Sequence, residues 1–87
     1  MTDVWVEELA SELGVDGLSQ EEISKLLAAA RDVAHGVERR ITPLSAFLVG
    51  AAVERRMAAG AVRRDAFREV LATLEAQIPD AEPEEIP

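Results

Sequence analysis

Apolar residues recur along most of the chain with the 3.6-residue period of α-helices, and this pattern predicts four helical segments. The predicted helices cover residues 3–13, Ser19 to Gly36 or Arg39, Thr42 to about Ala59, and residues 62–77. The connections between them are a few residues long, as is typical of helical bundles. We therefore expect an all-α fold, a compact bundle of four short helices.

Capping residues mark where these helices begin and end. Ser19 and Glu22 have the spacing of a capping box, in which each side chain accepts a hydrogen bond from the other residue's amide. Thr42 is the expected N-cap of the third helix, because Pro43 then occupies the first helical position, where its missing amide is not needed. The expected stops after the first and third helices are Gly14 and Gly60.

The third helix is apolar on two sides, so we expect it to lie at the centre of the bundle. One stripe contains Leu44, Phe47, Leu48 and Ala51, and the other contains Ala46, Val49, Gly50, Val53 and Met57. Two alternatives remain open. Either helices one and four cover both stripes within the monomer, or the second stripe stays exposed and forms an interface with a second copy or another protein. The candidate interface residues are Val49, Gly50, Val53 and Met57.

Length and composition restrict the classes of protein that the chain can form. Eighty-seven residues without cysteine allow one small domain, which we place at residues 1–78, and few aromatic residues argue against a β-sandwich or barrel. Residues 79–87, with three prolines and four carboxylates, predict a flexible acidic tail. The longest apolar run has eight residues, so no membrane span is expected. The acidic N-terminal residues do not resemble a secretory signal, and we expect a cytoplasmic protein.

The net charge of −8 is distributed unevenly along the chain. Residues 1–30 contain seven carboxylates and one lysine, and residues 69–87 contain six carboxylates and no cation. Residues 31–68 contain eight arginines and four carboxylates. One interpretation is that the acidic outer helices pair with the basic centre. The other is that some arginines bind an anion or an acidic partner.

The densest group of polar side chains lies around the sole histidine. Its members are Arg31, Asp32, His35, Glu38, Arg39 and Arg40. If the chain folds back after helix two, these side chains would stand near the free amides at the start of helix three, where a phosphate or carboxylate could bind. The alternative is structural: His35 is bonded to Asp32 near a helix C-terminus, and the arginines cap carbonyls or pair with Glu38.

Other kinds of chemistry find little support in the residues. The chain has no cysteine, and its serines have no recognisable nucleophile context, so we expect no catalysis by this chain alone. One histidine with scattered carboxylates makes a poor metal site, and no cofactor is expected. The negative net charge and the lack of aromatic residues between the arginines argue against nucleic-acid binding.

Several segments together resemble a small uncharacterised bacterial family of helical domains, over nearly all of residues 4–77. They are Ala30-Arg31-Asp32-Val33-Ala34-His35-Gly36-Val37-Glu38-Arg39, Thr42-Pro43-Leu44, Phe47-Leu48-Val49-Gly50, and the opening Trp5-Val6 with Leu9. Members of that family occur alone or appended to the molybdopterin-guanine dinucleotide biosynthesis protein. That protein is a nucleotidyltransferase which attaches GMP to molybdopterin.

The resemblance carries over no catalytic activity, because the nucleotidyltransferase's phosphate loop and metal-binding aspartates belong to its other domain. It implies candidate contact residues for a partner or cofactor, namely Arg31, Asp32, His35, Glu38, Arg39 and Pro43. The leading hypothesis is a non-catalytic accessory domain that binds a molybdenum-cofactor biosynthesis protein. The alternative is a module that binds a small anion, a nucleotide or a pterin phosphate through Arg31, His35, Arg39 and Arg40.

Overall fold

The computed structural model describes residues 2–79, with the side chains of residues 4–79. The elements are α1 (Thr2–Leu13), α2 (Gln20–Gly36), a 3-10 turn (Arg39–Ile41), α3 (Thr42–Ala58) and α4 (Arg63–Gln77). No strand occurs in residues 2–79, and the predicted all-α fold with four helices is confirmed. The predicted flexible tail, apart from Pro79, lies outside the described residues.

The start of α2 is closed by the capping box that the sequence predicts. The Glu22 amide donates to Ser19 Oγ at 3.1 Å, and the Ser19 amide donates to Glu22 Oε1 at 3.0 Å. Two amides that the helix leaves without a backbone partner are thereby satisfied. The helix ends at Gly36, which is the shorter of the two predicted alternatives.

Gly36 lies where the chain beyond α4 passes the end of α2. A Cβ atom on Gly36 would be 2.5 Å from Cγ2 of Ile78 and 3.6 Å from the carbonyl oxygen of Pro79. Carbon atoms do not approach as closely as 2.5 Å without a bond, so the missing side chain allows Ile78 to pack against α2. The requirement for glycine at position 36 therefore comes from close packing and not from its backbone conformation.

α1 ends in a Schellman motif around a left-handed glycine. The Gly14 amide donates to the Ser11 carbonyl at 3.1 Å and the Val15 amide donates to the Ala10 carbonyl at 3.0 Å. Gly14 has a φ of +74°, which an L side chain rarely adopts. The same pair of bonds closes α3 around Gly60, and both predicted stops are confirmed.

The buried core is built from α2, α3 and α4. Its buried residues are Ala29 and Val33 of α2, Val49 and Val53 of α3, and Ala66, Phe67, Val70 and Leu71 of α4. The apolar stripe predicted for the fourth helix thus faces the core. α3 lies against α2, the 3-10 turn and α4 on this side.

α1 lies apart from this core. Among the described residues, no Cα atom of α1 comes within 8 Å of one in another helix. Its large apolar side chains are exposed, and they are Val4, Trp5, Leu9 and Leu13. The alternative in which helices one and four cover both faces of helix three is therefore wrong. Periodicity shows that a helix has an apolar side, but not which surface covers it.

One polar link joins the starts of α2 and α4. Arg63 Nε donates to Glu22 Oε2 at 2.8 Å and Arg63 Nη2 donates to Glu22 Oε1 at 3.1 Å. The same Nη2 donates to the Gly17 carbonyl at 2.9 Å, so the connection between α1 and α2 is held as well. A second pair, Arg56 with Glu69 at 3.3 Å, joins α3 to α4 at the surface. Both pairs match the predicted association of central arginines with carboxylates of the outer segments.

Candidate functional site

The polar cluster predicted from the sequence lies at the C-terminal end of α2 and on the 3-10 turn that packs against it. Its members are Arg31, Asp32 and His35 on α2, Glu38 in the connection, and Arg39 and Arg40 on the 3-10 turn. All six residues are exposed. We call this group the polar corner. It is an open surface, where a partner could be contacted without any rearrangement of the core.

Few bonds hold the polar corner together. Arg40 Nε lies 3.5 Å from Glu38 Oε2, and both side chains are exposed, so this pair contributes little to stability. It matches the structural interpretation, in which the arginines pair with Glu38. The expected bond between His35 and Asp32 is absent from the described residues, and neither Arg31 nor Arg39 forms an ion pair there. These cations remain available to a ligand or partner.

The start of α3 differs from the prediction. The N-cap position is Ile41, not Thr42, and no side chain caps this end. The Ile41 amide already donates to the Glu38 carbonyl and the Thr42 amide to the Arg39 carbonyl, because the 3-10 turn leads directly into the helix. Thr42 Oγ1 is buried without a partner. Two amides that the sequence left free for an anion are therefore bonded within the backbone.

Asp32 faces α4 rather than His35. Glu75 on α4 is exposed, and the pKa of its carboxyl is raised, first by desolvation against the protein surface and then by a hydrogen bond with Asp32. The nearby negative charge of Asp32 also disfavours ionisation of Glu75. Glu75 also lines a shallow groove of about 330 Å³ between α2 and α4. No sequence signal connects these two carboxylates, because their encounter depends on how α2 packs against α4.

The structure reverses the expected roles of the two α3 stripes. Val49 and Val53 are only 7% and 6% exposed and belong to the core, and Met57 packs against it. Of the four candidate interface residues only Gly50 is exposed, so the predicted interface is wrong at Val49, Val53 and Met57. The stripes have similar hydrophobicity, and only their packing against α4 and α2 distinguishes them.

The exposed surface of α3 is instead formed by the other stripe. Leu44, Phe47 and Leu48 are exposed, Phe47 by 67% and Leu48 by 70%, and we call these three residues the α3 patch. Beside Leu48 a groove of about 200 Å³ runs between α3 and α4, with Ala52 and Leu74 among its lining residues. Contiguous apolar surface of this kind is uncommon on an isolated soluble domain.

α1 presents a second apolar surface. Trp5, Leu9 and Leu13 follow each other at four-residue intervals, which places them along one side of the helix. All three are exposed. Trp5 has the largest side chain of the three and is 63% exposed. We call these residues the α1 patch. The sequence signal for both patches was present in the apolar stripes, but their exposure could not be derived from it.

Metal binding and membrane insertion find no support in the described part of the chain. No group of three or more histidine or carboxylate side chains there is arranged to hold a metal ion. None of the helices between residues 2 and 79 combines the length and apolar character that a bilayer crossing requires.

Comparison with known proteins gives one relationship. No curated protein and no solved structure matches the chain. The family described as "Domain of unknown function (DUF6457)" matches residues 1–85. The sequence resemblance to a family of uncharacterised domains is confirmed to that extent. Because the match covers almost the whole sequence, the chain belongs to this family of domains of unknown function.

Proposed function

We propose that the chain is a non-catalytic domain whose function is to bind other protein chains. The observation that carries the proposal is the exposure of large apolar side chains on two separate helices, above all Trp5, Phe47 and Leu48. Leaving such side chains in water forgoes roughly 1.5–3 kcal/mol each relative to full burial. A protein partner that covers the patches would recover much of this free energy.

The arrangement of polar groups also supports a role without catalysis. The His35 side chain is exposed and makes no hydrogen bond or ion pair with another described residue, whereas a general base is normally oriented by a second group. The groove between α2 and α4 and the groove between α3 and α4 are both shallow and open at the surface. The polar corner is therefore better suited to contact with another macromolecule than to holding a substrate away from water.

For the cellular partner we propose a molybdenum-cofactor biosynthesis protein, on the basis of the resemblance to domains appended to the molybdopterin-guanine dinucleotide biosynthesis protein. Its contact surface would be the polar corner, which contains five of the six motif residues of that resemblance. Arg31 and Arg39 would supply positive charge to an acidic surface of the partner, since neither forms an ion pair among the described residues.

The purified proteins test this proposal directly. The full chain should bind the purified nucleotidyltransferase in a titration calorimeter, and Arg39→Glu should weaken binding at least tenfold. Ala76→Glu, which introduces a glutamate at an exposed position of α4, should bind like the wild type. Binding that is absent in the wild type, or equal in all three proteins, would refute the molybdenum-cofactor assignment.

A second candidate function is binding of a phosphorylated small molecule at the polar corner. It is favoured by the exposed cations Arg31, His35 and Arg39, none of which is in an ion pair within the described residues. Arginine forms strong bidentate bonds to phosphate. Titration with GMP, GTP and pyrophosphate should shift the NMR resonances of these residues before others. If all three ligands leave those resonances unmoved, the ligand-binding alternative is rejected.

A further inference from the structure

We propose that the α1 patch and the α3 patch are partners for each other across two copies of the chain. In this homodimer α1 of each copy lies on α3 of the other, so that the same contact occurs twice around a two-fold axis. The inference rests on the proposed function and names the chain that covers both apolar patches. Three independent features of the structure support it.

The first feature is the match in size and shape. α1 has twelve residues and is about 18 Å long, enough to run along most of α3. Its most prominent side chain, Trp5, is exposed, and the groove of about 200 Å³ beside Leu48 offers an apolar recess for a large ring. Buried aromatic anchors of this kind dominate the energetics of many interfaces. One patch thus supplies an anchor and the other a place to receive it.

The second feature is complementary charge. α1 contains only acidic charged residues, and Glu8 and Glu12, which lie beside Trp5 on the helix, form no ion pair among the described residues. Arg55 continues the face of the α3 patch, seven residues after Leu48, and is exposed and likewise without an ion pair there. An acidic helix placed on this face would bring opposite charges together, which favours both the encounter and the register.

The third feature is the connection between α1 and α2, which decides against packing within one chain. The Gly17 carbonyl is bonded to Arg63 of α4, and Leu18 packs against the core. Only residues 14–16 lie between α1 and this anchored segment, and three residues span at most about 10 Å. Phe47 of the α3 patch points away from the core that α2 and α4 form, since it lies about 160° around the helix from buried Val49. Within one chain α1 would have to pass around the bundle to reach this side of α3, whereas α3 of a second copy can approach α1 directly.

Sedimentation equilibrium of the full chain tests the dimer. The wild type should approach twice its mass of 9.4 kDa as concentration rises, and the fluorescence of Trp5, the sole tryptophan, should shift to shorter wavelength over the same range. Trp5→Glu and Phe47→Glu should each lower the association constant at least a hundredfold. Ala76→Glu should associate like the wild type. Circular dichroism should show equal helix content in all variants, because Trp5, Phe47 and Ala76 are exposed.

Mixing the two variants tests whether α1 of one copy contacts α3 of the other copy, as the proposed dimer requires. Trp5→Glu retains an intact α3 patch and Phe47→Glu retains an intact α1 patch, so the mixture can form a hybrid dimer with one of the two contacts. We expect the mixture to associate at least tenfold more tightly than either variant alone. No gain on mixing, or a wild type that stays at 9.4 kDa throughout, would overturn the inference.

The proposed function can survive that result. If the wild type is monomeric but binds another purified protein, and Phe47→Glu abolishes this binding, the patches are an interface for a different chain and only the homodimer is rejected. If the patch variants alter neither self-association nor binding of the nucleotidyltransferase, and Arg39→Glu is also without effect, the interaction function itself is rejected.

Discussion

Arg63 is expected to contribute far more to stability than Arg64, its neighbour in sequence. The Arg63 side chain is 26% exposed and the Glu22 side chain 15%, and three hydrogen bonds of 2.8, 3.1 and 2.9 Å link Arg63 to Glu22 and Gly17. Removal of one partner costs about 1 kcal/mol or less at an exposed pair and about 3–5 kcal/mol at a buried one. For this half-buried pair we expect Arg63→Met to lower the free energy of unfolding by about 2 kcal/mol.

Urea unfolding followed by circular dichroism measures this loss, and Arg64→Met is the matched control. Arg64 is largely exposed and lies 3.5 Å from Asp65, so its replacement should cost less than about 0.5 kcal/mol. The double variant Glu22→Gln, Arg63→Met should lose less than the sum of the two single variants, since both remove the same bonds. Equal losses for Arg63→Met and Arg64→Met, or strict additivity, would refute the reasoning.

The pH dependence gives a second readout of the same pair. The hydrogen bond from Arg63 is the main cause that lowers the pKa of Glu22 below its ordinary value of 4.5, and burial opposes it. A depressed carboxyl pKa stabilises the fold at pH values above the unfolded-state pKa, and this contribution is lost as the pH falls through the folded-state pKa. The difference between wild type and Arg63→Met should therefore be full at pH 7 and shrink toward pH 3. A difference that grows on acidification would contradict this account.

Three further predictions concern packing and charge elsewhere. In a variant whose Ile78 is replaced by alanine, Gly36→Ala should raise the free energy of unfolding by roughly 0.5–1 kcal/mol through helix propensity. In the wild-type background we expect no such increase, because the new Cβ meets the Ile78 side chain. An equal increase in both backgrounds would exclude this clash. Because the raised pKa of Glu75 means that its ionisation opposes folding, Glu75→Gln should raise the urea midpoint at pH 7 and not below pH 4. A lower midpoint at pH 7 would contradict the account in which desolvation, and after it the contact with Asp32, disfavours the ionised carboxyl. Phe67→Ala should lower the free energy of unfolding by about 3–5 kcal/mol, whereas exposed Phe47→Ala should change it by less than about 1 kcal/mol; similar losses would invalidate the assignment of the core.

Part of the candidate site could be derived from the sequence. The polar corner is a continuous segment around His35, and residues close in sequence on a helix and the following turn necessarily lie near each other. The bond partners within it could not be derived. Asp32 meets Glu75 instead of His35, and the 3-10 turn occupies the amides before Thr42, because both depend on how α2 lies against the neighbouring elements.

The sequence by itself determined where α2 begins and where α1 and α3 end. The capping box at Ser19 and the glycine stops at Gly14 and Gly60 act through hydrogen bonds between residues a few positions apart, so local chemistry is sufficient. The apolar period of α4 likewise identified the face that Phe67 and Val70 bury.

Only the tertiary structure decided which apolar surfaces are covered. The two stripes of α3 have similar hydrophobicity, so hydrophobicity does not predict which of them is buried. Val49 rather than Phe47 is buried because the side of α3 that carries Val49 packs against α4 and α2. The exposure of α1 and the need for glycine at position 36 follow in the same way from the placement of distant segments. The hydrophobic effect is non-directional, so it requires that apolar faces be covered but does not specify by which partner.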